Sequence, residues 1–242
     1  AVGVNGSDRA TSLLKSLMMD TATPQQVRSS AVQALARSNQ GAKNILAMAK
    51  AGELTGQLPQ VAALAIASCP WGDVRQSAAD VLPMPKAKGG SLPPLADLLK
   101  RGGRAEIGKV VFAGAGTCAK CHVVGSEGKA VGPNLSGIGA KLSKPALYES
   151  ILAPSAAISH NYETYTALLE DGRSISGLLV SQAADQVVIR GVDGIDVTIP
   201  AGEIGELVKQ PVSLMPADLA ATLSADELVD LVAWLETLKQ TN

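Results

Sequence analysis

The stretch that decides the fold of this 242-residue chain is Cys118-Ala119-Lys120-Cys121-His122. Its thiols lie three residues apart, so that both can reach the vinyl groups on one edge of a porphyrin. A histidine directly after such a pair is held under the iron as an axial ligand. The motif therefore predicts one covalent heme c, attached through Cys118 and Cys121, with His122 as a metal ligand.

Two other kinds of site also use closely spaced cysteines. A redox-active Cys-x-x-Cys follows a strand and begins a helix, whereas a helical pattern precedes Cys118 and a loop, residues 123–132, follows the motif. A zinc site needs a second pair of ligands, and the rest of the chain offers only Cys69 and His160. Cys69 is expected to be a small buried hydrophobe. Heme attachment is the strongest interpretation, with a bare thiol pair as the alternative.

Segments on both sides of the motif resemble class I cytochrome c. They are Gly108-Lys109-Val110-Val111-Phe112, Gly132-Pro133-Asn134-Leu135, Leu214-Met215-Pro216 and the helical pattern over 224–239. In that family an N-terminal helix crosses a C-terminal helix, and a glycine permits their close approach. The resemblance implies that Gly108, Phe112 and Trp234 form this crossing.

The same resemblance implies further cofactor-binding residues after the motif. These residues are Pro133 and Leu135. The Pro133 carbonyl is expected to accept the Nδ1 proton of His122, a bond that fixes the orientation and the basicity of the ring.

The sixth iron ligand is a choice between Met215 and His160, because no other methionine or histidine follows the motif. Met215 precedes the last predicted helix, where class I cytochromes present their methionine. We therefore expect Met215, with His160 or an open site as the alternatives. A thioether ligand raises the reduction potential.

Met215 lies 93 positions after His122, a long separation for a small cytochrome. Residues 162–199 contain hairpin signals at Asp171-Gly172 and Asp193-Gly194. Ile195, Val197 and Ile199 alternate with polar residues, as in a half-buried strand. The sequence therefore predicts a small antiparallel sheet of about four strands, inserted at about residues 160–207.

The combination resembles a narrower family, the heme-binding domain of the Pirellula/Verrucomicrobium type. The matching segments are Asp171-Gly172-Arg173 with Gly177, Val197-Thr198-Ile199-Pro200, Ser213-Leu214-Met215-Pro216 and Leu228 to Leu235. Members typically form the C-terminal part of large secreted proteins whose upstream region looks like a sugar dehydrogenase. The resemblance implies a periplasmic or otherwise extracytoplasmic location.

The first half of the chain predicts five short helices between about residues 7 and 83. Val27-Arg28-Ser29-Ser30-Ala31 is echoed 47 positions later by Val74-Arg75-Gln76-Ser77-Ala78, a period typical of HEAT-like repeats. Residues 84–91 are rich in Pro, Gly and charge, which marks an exposed connection. The predicted domains are a HEAT-like helical domain, 1–90, and a cytochrome c domain, 91–242.

Composition limits the partners of the chain. Lys plus Arg number 21 and Asp plus Glu 22, for a net charge of -1, so no global attraction to nucleic acid or anionic lipid is expected. Aromatic residues make up only 2%, a deficit that a large aromatic cofactor would fit. No apolar run approaches the roughly 20 residues of a membrane span.

The expectation is therefore a mainly α protein that transfers single electrons through one heme c and is not itself an enzyme. Its partner would be a redox protein or a fused dehydrogenase domain. Two alternatives remain: a helical-repeat binding module with a structural heme, or a heme that reduces peroxide or senses a gas through an open sixth site.

Overall fold

Helices follow the apolar periodicity of the first half of the chain. The computed structural model describes residues 8–67, 69–78, 80–82 and 84–240. In the part of the first half that it describes there are five helices, as predicted: α1 (Asp8–Met19), α2 (Gln25–Leu35), α3 (Asn39–Lys50), α4 (Leu58–Ala67) and α5 (Gly72–Ala78). Ser38 begins α3 because its side chain accepts the Gly41 N–H.

The two echoed segments do not have the same environment. Val27 in α2 is 42% exposed, whereas Val74 in α5 is 2% exposed. Leu35 and Leu82, which follow the two segments, are both buried. A HEAT-like arrangement therefore stays a prediction, and so does a domain boundary near residue 90.

The segment after α5 is ordered into a small hairpin. Strands β1 (Lys86–Ala87) and β2 (Gly90–Ser91) pair antiparallel. The turn contains Gly89 and Gly90 at φ +95° and +142°, conformations that favour glycine. The Lys88 N–H donates to the Leu223 carbonyl at 2.7 Å, which ties the connection to the C-terminal region. Helix α6 (Leu95–Lys100) follows.

Two helices of the C-terminal region cross closely, as the resemblance implies. The elements here are α7 (Ala105–Ala113), β3 (Val123–Val124), β4 (Glu127–Gly128), α8 (Ile138–Lys141), α9 (Lys144–Leu152) and, after an inserted sheet, α10 (Ala225–Thr237). The Phe112 ring on α7 lies 4.8 Å from the Trp234 ring on α10, centroid to centroid. A capping box between Ser224 and Glu227 begins α10.

The inserted sheet has five strands rather than about four. They are β5 (Thr164–Leu169), β6 (Ser174–Gln182), β7 (Gln186–Arg190), β8 (Asp196–Pro200) and β9 (Ile204–Lys209), in the order β8-β7-β6-β5-β9. The additional strand, β9, follows residues 162–199, whose pattern predicted the strands, and most of it lies within the predicted insertion at about 160–207. It pairs with β5 across the sheet, and no local hairpin signal marks such a distant pairing.

The predicted alternation in the fourth strand holds only in part. Ile199 is 2% exposed, but Val197 is 39% and Ile195 is 61% exposed. Ile195 precedes β8, and β8 lies at the edge of the sheet, where one side of a strand has no neighbour. The buried side chains of the sheet, among them Ala167 and Ile189, form a small hydrophobic cluster of their own.

A larger hydrophobic cluster joins the two halves of the chain. It extends from Met18 in α1 to Leu235 in α10 and includes Tyr148 of α9. A hydrogen bond from the Gln33 amide in α2 to the Glu149 carboxylate in α9 lies across the same contact. In the described part of the chain, no helix is long and apolar enough to cross a bilayer.

Candidate heme-binding site

The Cys-x-x-Cys-His motif folds into one tight turn after α7. Thr117 adopts a left-handed backbone, with φ +52°, and Cys118–Lys120 form a single turn of 3-10 helix. The His122 N–H closes the turn on the Cys118 carbonyl at 2.9 Å. The two thiols and the imidazole are therefore carried by one tight turn of the backbone.

The two cysteines do not have the surroundings of a redox-active pair. They are free and partly buried, and no long helix begins at Cys118. Burial raises the pKa of the Cys118 thiol to about 11, whereas a reactive cysteine has a lowered pKa. Cys69 is also free and lies buried, as predicted.

The His122 ring is oriented by one backbone carbonyl. Its Nδ1 lies 2.8 Å from the Pro133 oxygen, and since that oxygen can only accept, Nδ1 carries the proton. Burial lowers the pKa of His122, and the bond to Pro133 opposes this only in part, so the ring is neutral at neutral pH. Among the residues that the structure describes, Nε2 has no hydrogen-bond partner, which leaves its lone pair free for a metal.

The loop that carries Pro133 is fastened to the motif itself. The amides of Val131 and Gly132 both donate to the Cys121 carbonyl, at 3.0 and 2.7 Å. A Cβ on Gly132 would lie 2.6 Å from Cε1 of the His122 ring, so only glycine lets the backbone lie this close. The sequence alone did not predict this role for Gly132, although its position directly before Pro133 was a signal for it.

Leu135 continues the same loop at the edge of the main cluster. Its side chain is partly buried against that cluster, and its amide donates to the Val123 carbonyl at 2.9 Å. The next residue, Ser136, accepts the Gly125 N–H at 2.8 Å. These bonds join the segment after Pro133 to the segment that follows His122.

Met215 lies in a loop that two serines anchor. The Met215 N–H donates to the Ser213 side chain at 3.1 Å, and the Ser213 N–H donates to Ser155 Oγ at 3.0 Å. Ser155 is 3% exposed and follows α9. The Met215 side chain is partly buried against the main cluster, as are Cys118 and Leu135. The anchoring by Ser155 was missed, because the two serines lie far apart in sequence.

His160, the alternative ligand, lies on the surface. Its side chain is 87% exposed, and Nδ1 is 3.7 Å from the Glu163 carboxylate. Glu163 in turn accepts a hydrogen bond from Lys209 at 3.1 Å. The structure therefore places His160 in an exposed polar group with Glu163 and Lys209.

The described residues contain no group of three or more His, Cys, Asp or Glu side chains arranged to hold a metal ion. An open cleft of about 500 Å³ lies between α2, α4 and α9. Cys69 and Glu149 line this cleft, and none of the predicted heme-binding residues does.

The donor set fits a heme c. Two free thiols precede a neutral imidazole whose Nδ1 is already bonded, and a glycine backbone makes room for the ring. A comparison with curated proteins found no match. Residues 105–168 match the family model described as Cytochrome c, which supports a c-type cytochrome domain with heme c and heme-based electron transfer.

Proposed function

We propose that this chain binds one heme c through Cys118 and Cys121 and carries single electrons, and that His122 and Met215 would hold its iron. The observation that carries the proposal is the His122 ring. Its Nδ1 is held 2.8 Å from the Pro133 oxygen, and Nε2 has no hydrogen-bond partner among the described residues. When bound, the heme supplies a one-electron Fe(II)/Fe(III) couple.

The protein residues hold the imidazole as a strong ligand. A hydrogen bond from Nδ1 to a backbone carbonyl fixes the ring and raises its basicity. Gly132 lets the loop backbone lie against the ring, and Val131, 3% exposed, helps to exclude water from that side. Ligand position and solvent access both tune the potential of a heme.

The anchoring of its loop supports Met215 over His160 as the second iron ligand. Met215 is partly buried and its amide is bonded to Ser213, whereas His160 is 87% exposed. A heme with strong ligands on both faces does not readily bind dioxygen or peroxide, so electron transfer is favoured over peroxide or gas chemistry.

Heme attachment also bears on where the protein is located and on its partner. Covalent attachment of heme to thiols requires assembly outside the reducing cytosol, which supports an extracytoplasmic location. By its resemblance to the Pirellula/Verrucomicrobium type, the chain would be the C-terminal electron acceptor of a larger secreted dehydrogenase-like protein. Its partner would then be that dehydrogenase region or a separate redox protein.

The first experiment tests heme attachment. The chain is produced together with a c-type heme maturation system, and its intact mass and the pyridine hemochrome spectrum are measured. We expect the mass of one heme, lost when Cys118 and Cys121 are both replaced by alanine. Cys69→Ala is the matched control and should keep the heme. A chain that carries no covalent heme under these conditions would contradict the proposal.

The second experiment identifies the sixth ligand. Oxidised holoprotein is expected to show the far-red charge-transfer band of a methionine-to-iron bond. Met215→Ala should abolish the band, whereas His160→Ala and Met19→Ala, a change on the surface of α1, should leave it intact. High-spin iron that takes up carbon monoxide at once in the unmodified protein would favour peroxide or gas chemistry instead.

A further inference from the structure

The inserted sheet contacts the loop that orients His122. The 129–133 loop, defined by residues Lys129 to Pro133, meets the end of β7 at one point and the turn between β7 and β8 at another. Arg190 Nη1 donates to the Ala130 carbonyl at 3.2 Å. Gly194, with φ +83°, packs against Val131. A Cβ built on Gly194 would lie 3.2 Å from Val131 Cγ2. Both contacts fall within three residues of Pro133.

Arg190 itself is held firmly within the sheet. Its Nε and Nη2 donate to the two carboxylate oxygens of Asp196, at 2.6 and 2.8 Å. Such two-point contacts between a guanidinium and a carboxylate are among the stronger hydrogen bonds in proteins. The backbone of Arg190 packs against Gly177, where a Cβ would lie 2.1 Å from the Arg190 oxygen. Nη1 is thereby directed to the Ala130 carbonyl.

Hydrogen bonds of the 129–133 loop connect this contact to the imidazole. Beyond Ala130, the amides of Val131 and Gly132 are bonded to the Cys121 carbonyl. The next residue, Pro133, accepts the Nδ1 proton of His122. A displacement of Ala130 would therefore change the position of the carbonyl that orients the ring.

We propose that Arg190 is a positioning residue for His122, and that the inserted sheet holds the 129–133 loop against the axial histidine. The inference rests on the proposed heme function. It assigns a role to Gly177 and Asp196, which lie outside the heme motif: Gly177 admits the backbone of Arg190, and Asp196 aligns its guanidinium. The sheet thus helps to fix the carbonyl that orients the His122 ring.

The test measures hydrogen exchange in the reduced holoprotein by NMR. Exchange rates are compared for the His122 Nδ1 proton, for the amides of Val131 and Gly132, and for the core amide of Leu231. In Arg190→Gln we expect the first three to exchange about tenfold faster, as for the loss of one hydrogen bond to a charged group. Leu231 should keep its protection.

Two further variants separate positioning from general stability. Arg190→Lys keeps a donor for the Ala130 carbonyl and should restore part of the protection. Arg173→Gln is the matched control, because Arg173 forms a similar pair with Asp171 in the same sheet, at 2.7 Å, on a different turn. It should leave the exchange of His122 unchanged.

Unchanged exchange at His122, Val131 and Gly132 in Arg190→Gln would overturn the inference while the heme function stands. Equal acceleration at Leu231 would also overturn it, because only global stability would then have changed. If the unmodified chain carries no covalent heme, the proposed function fails. The amides of Val131 and Gly132 in the heme-free protein then decide whether Arg190 braces the loop.

Discussion

A Cβ on Gly108 of α7 would lie 2.0 Å from the carbonyl oxygen of Asp230 on α10. The two helices therefore touch backbone to backbone at this point. The Phe112 and Trp234 rings pack at the same crossing. Because α7 leads directly into the Cys-x-x-Cys-His motif, the crossing determines where that motif lies.

Gly108→Ala should weaken the crossing. The added methyl group forces α7 and α10 apart, and overpacking of this kind costs about 1–3 kcal/mol. We expect a lower free energy of unfolding, measured with urea on the holoprotein. Gly102→Ala is the control, since a Cβ on Gly102 meets nothing within 4 Å. Equal stability of the two variants would contradict the close approach.

Asp230 should make stability depend on pH. Hydrogen bonds from the Arg104 side chain and backbone hold the pKa of Asp230 below its usual 3.8, although burial opposes this. The stabilisation is therefore fully present well above pH 3.8 and is lost as the pH falls below 3.8 and through the lowered folded-state pKa. Asp230→Asn should lower the free energy of unfolding at pH 7 by about 1–3 kcal/mol.

Urea unfolding measured at a series of pH values tests the prediction for Asp230. Urea unfolding of the wild type and of Asp230→Asn should differ by a constant amount near neutral pH and converge as the pH drops below 3.8. Asp171→Asn, which removes an exposed pair with Arg173, should have a much smaller effect. A difference for Asp230→Asn that is independent of pH would argue against the shifted pKa.

Ser213→Ala should loosen the Met215 loop. The change removes the acceptor of the Met215 N–H, a bond worth about 1 kcal/mol. We expect the far-red band of the oxidised holoprotein to disappear at a lower urea concentration, ahead of global unfolding followed by circular dichroism. Ser159→Ala, at an exposed position before His160, is the control. Coincident loss of both signals in every variant would show that Ser213 does not hold the loop.

Gly132→Ala should tilt the His122 ring. The new Cβ would lie 2.6 Å from Cε1, so the ring or the loop must move and the bond to Pro133 must lengthen. Electron paramagnetic resonance of the oxidised holoprotein should report the change as shifted g-values. Gly202→Ala, where a Cβ has open space, should retain the wild-type spectrum. An unchanged spectrum in Gly132→Ala would mean that the backbone does not confine the ring.

Local patterns were sufficient for much of the fold. The five helices of the first half follow from apolar spacing, whereas the crossing of α7 and α10 at Gly108 and Trp234 was implied by the resemblance to class I cytochrome c. Strand β9 was not predicted because the residues of β5 with which it pairs lie 35 to 44 positions away in sequence. The exposure of Ile195 and Val197 was not foreseen, because alternation alone does not distinguish an edge strand from a central one.

The candidate site was likewise predicted only in part from the sequence. The sequence by itself determined the motif: Cys118, Cys121 and His122 are neighbours in the chain, so their spacing is set by covalent geometry. Only the tertiary structure decided which distant residues contact the loop after His122 and the Met215 loop. Arg190 reaches the Ala130 carbonyl, and Ser155 reaches the Met215 loop through Ser213. These contacts join residues about 60 positions apart, so they exist only after the chain has packed, and no local pattern encodes them.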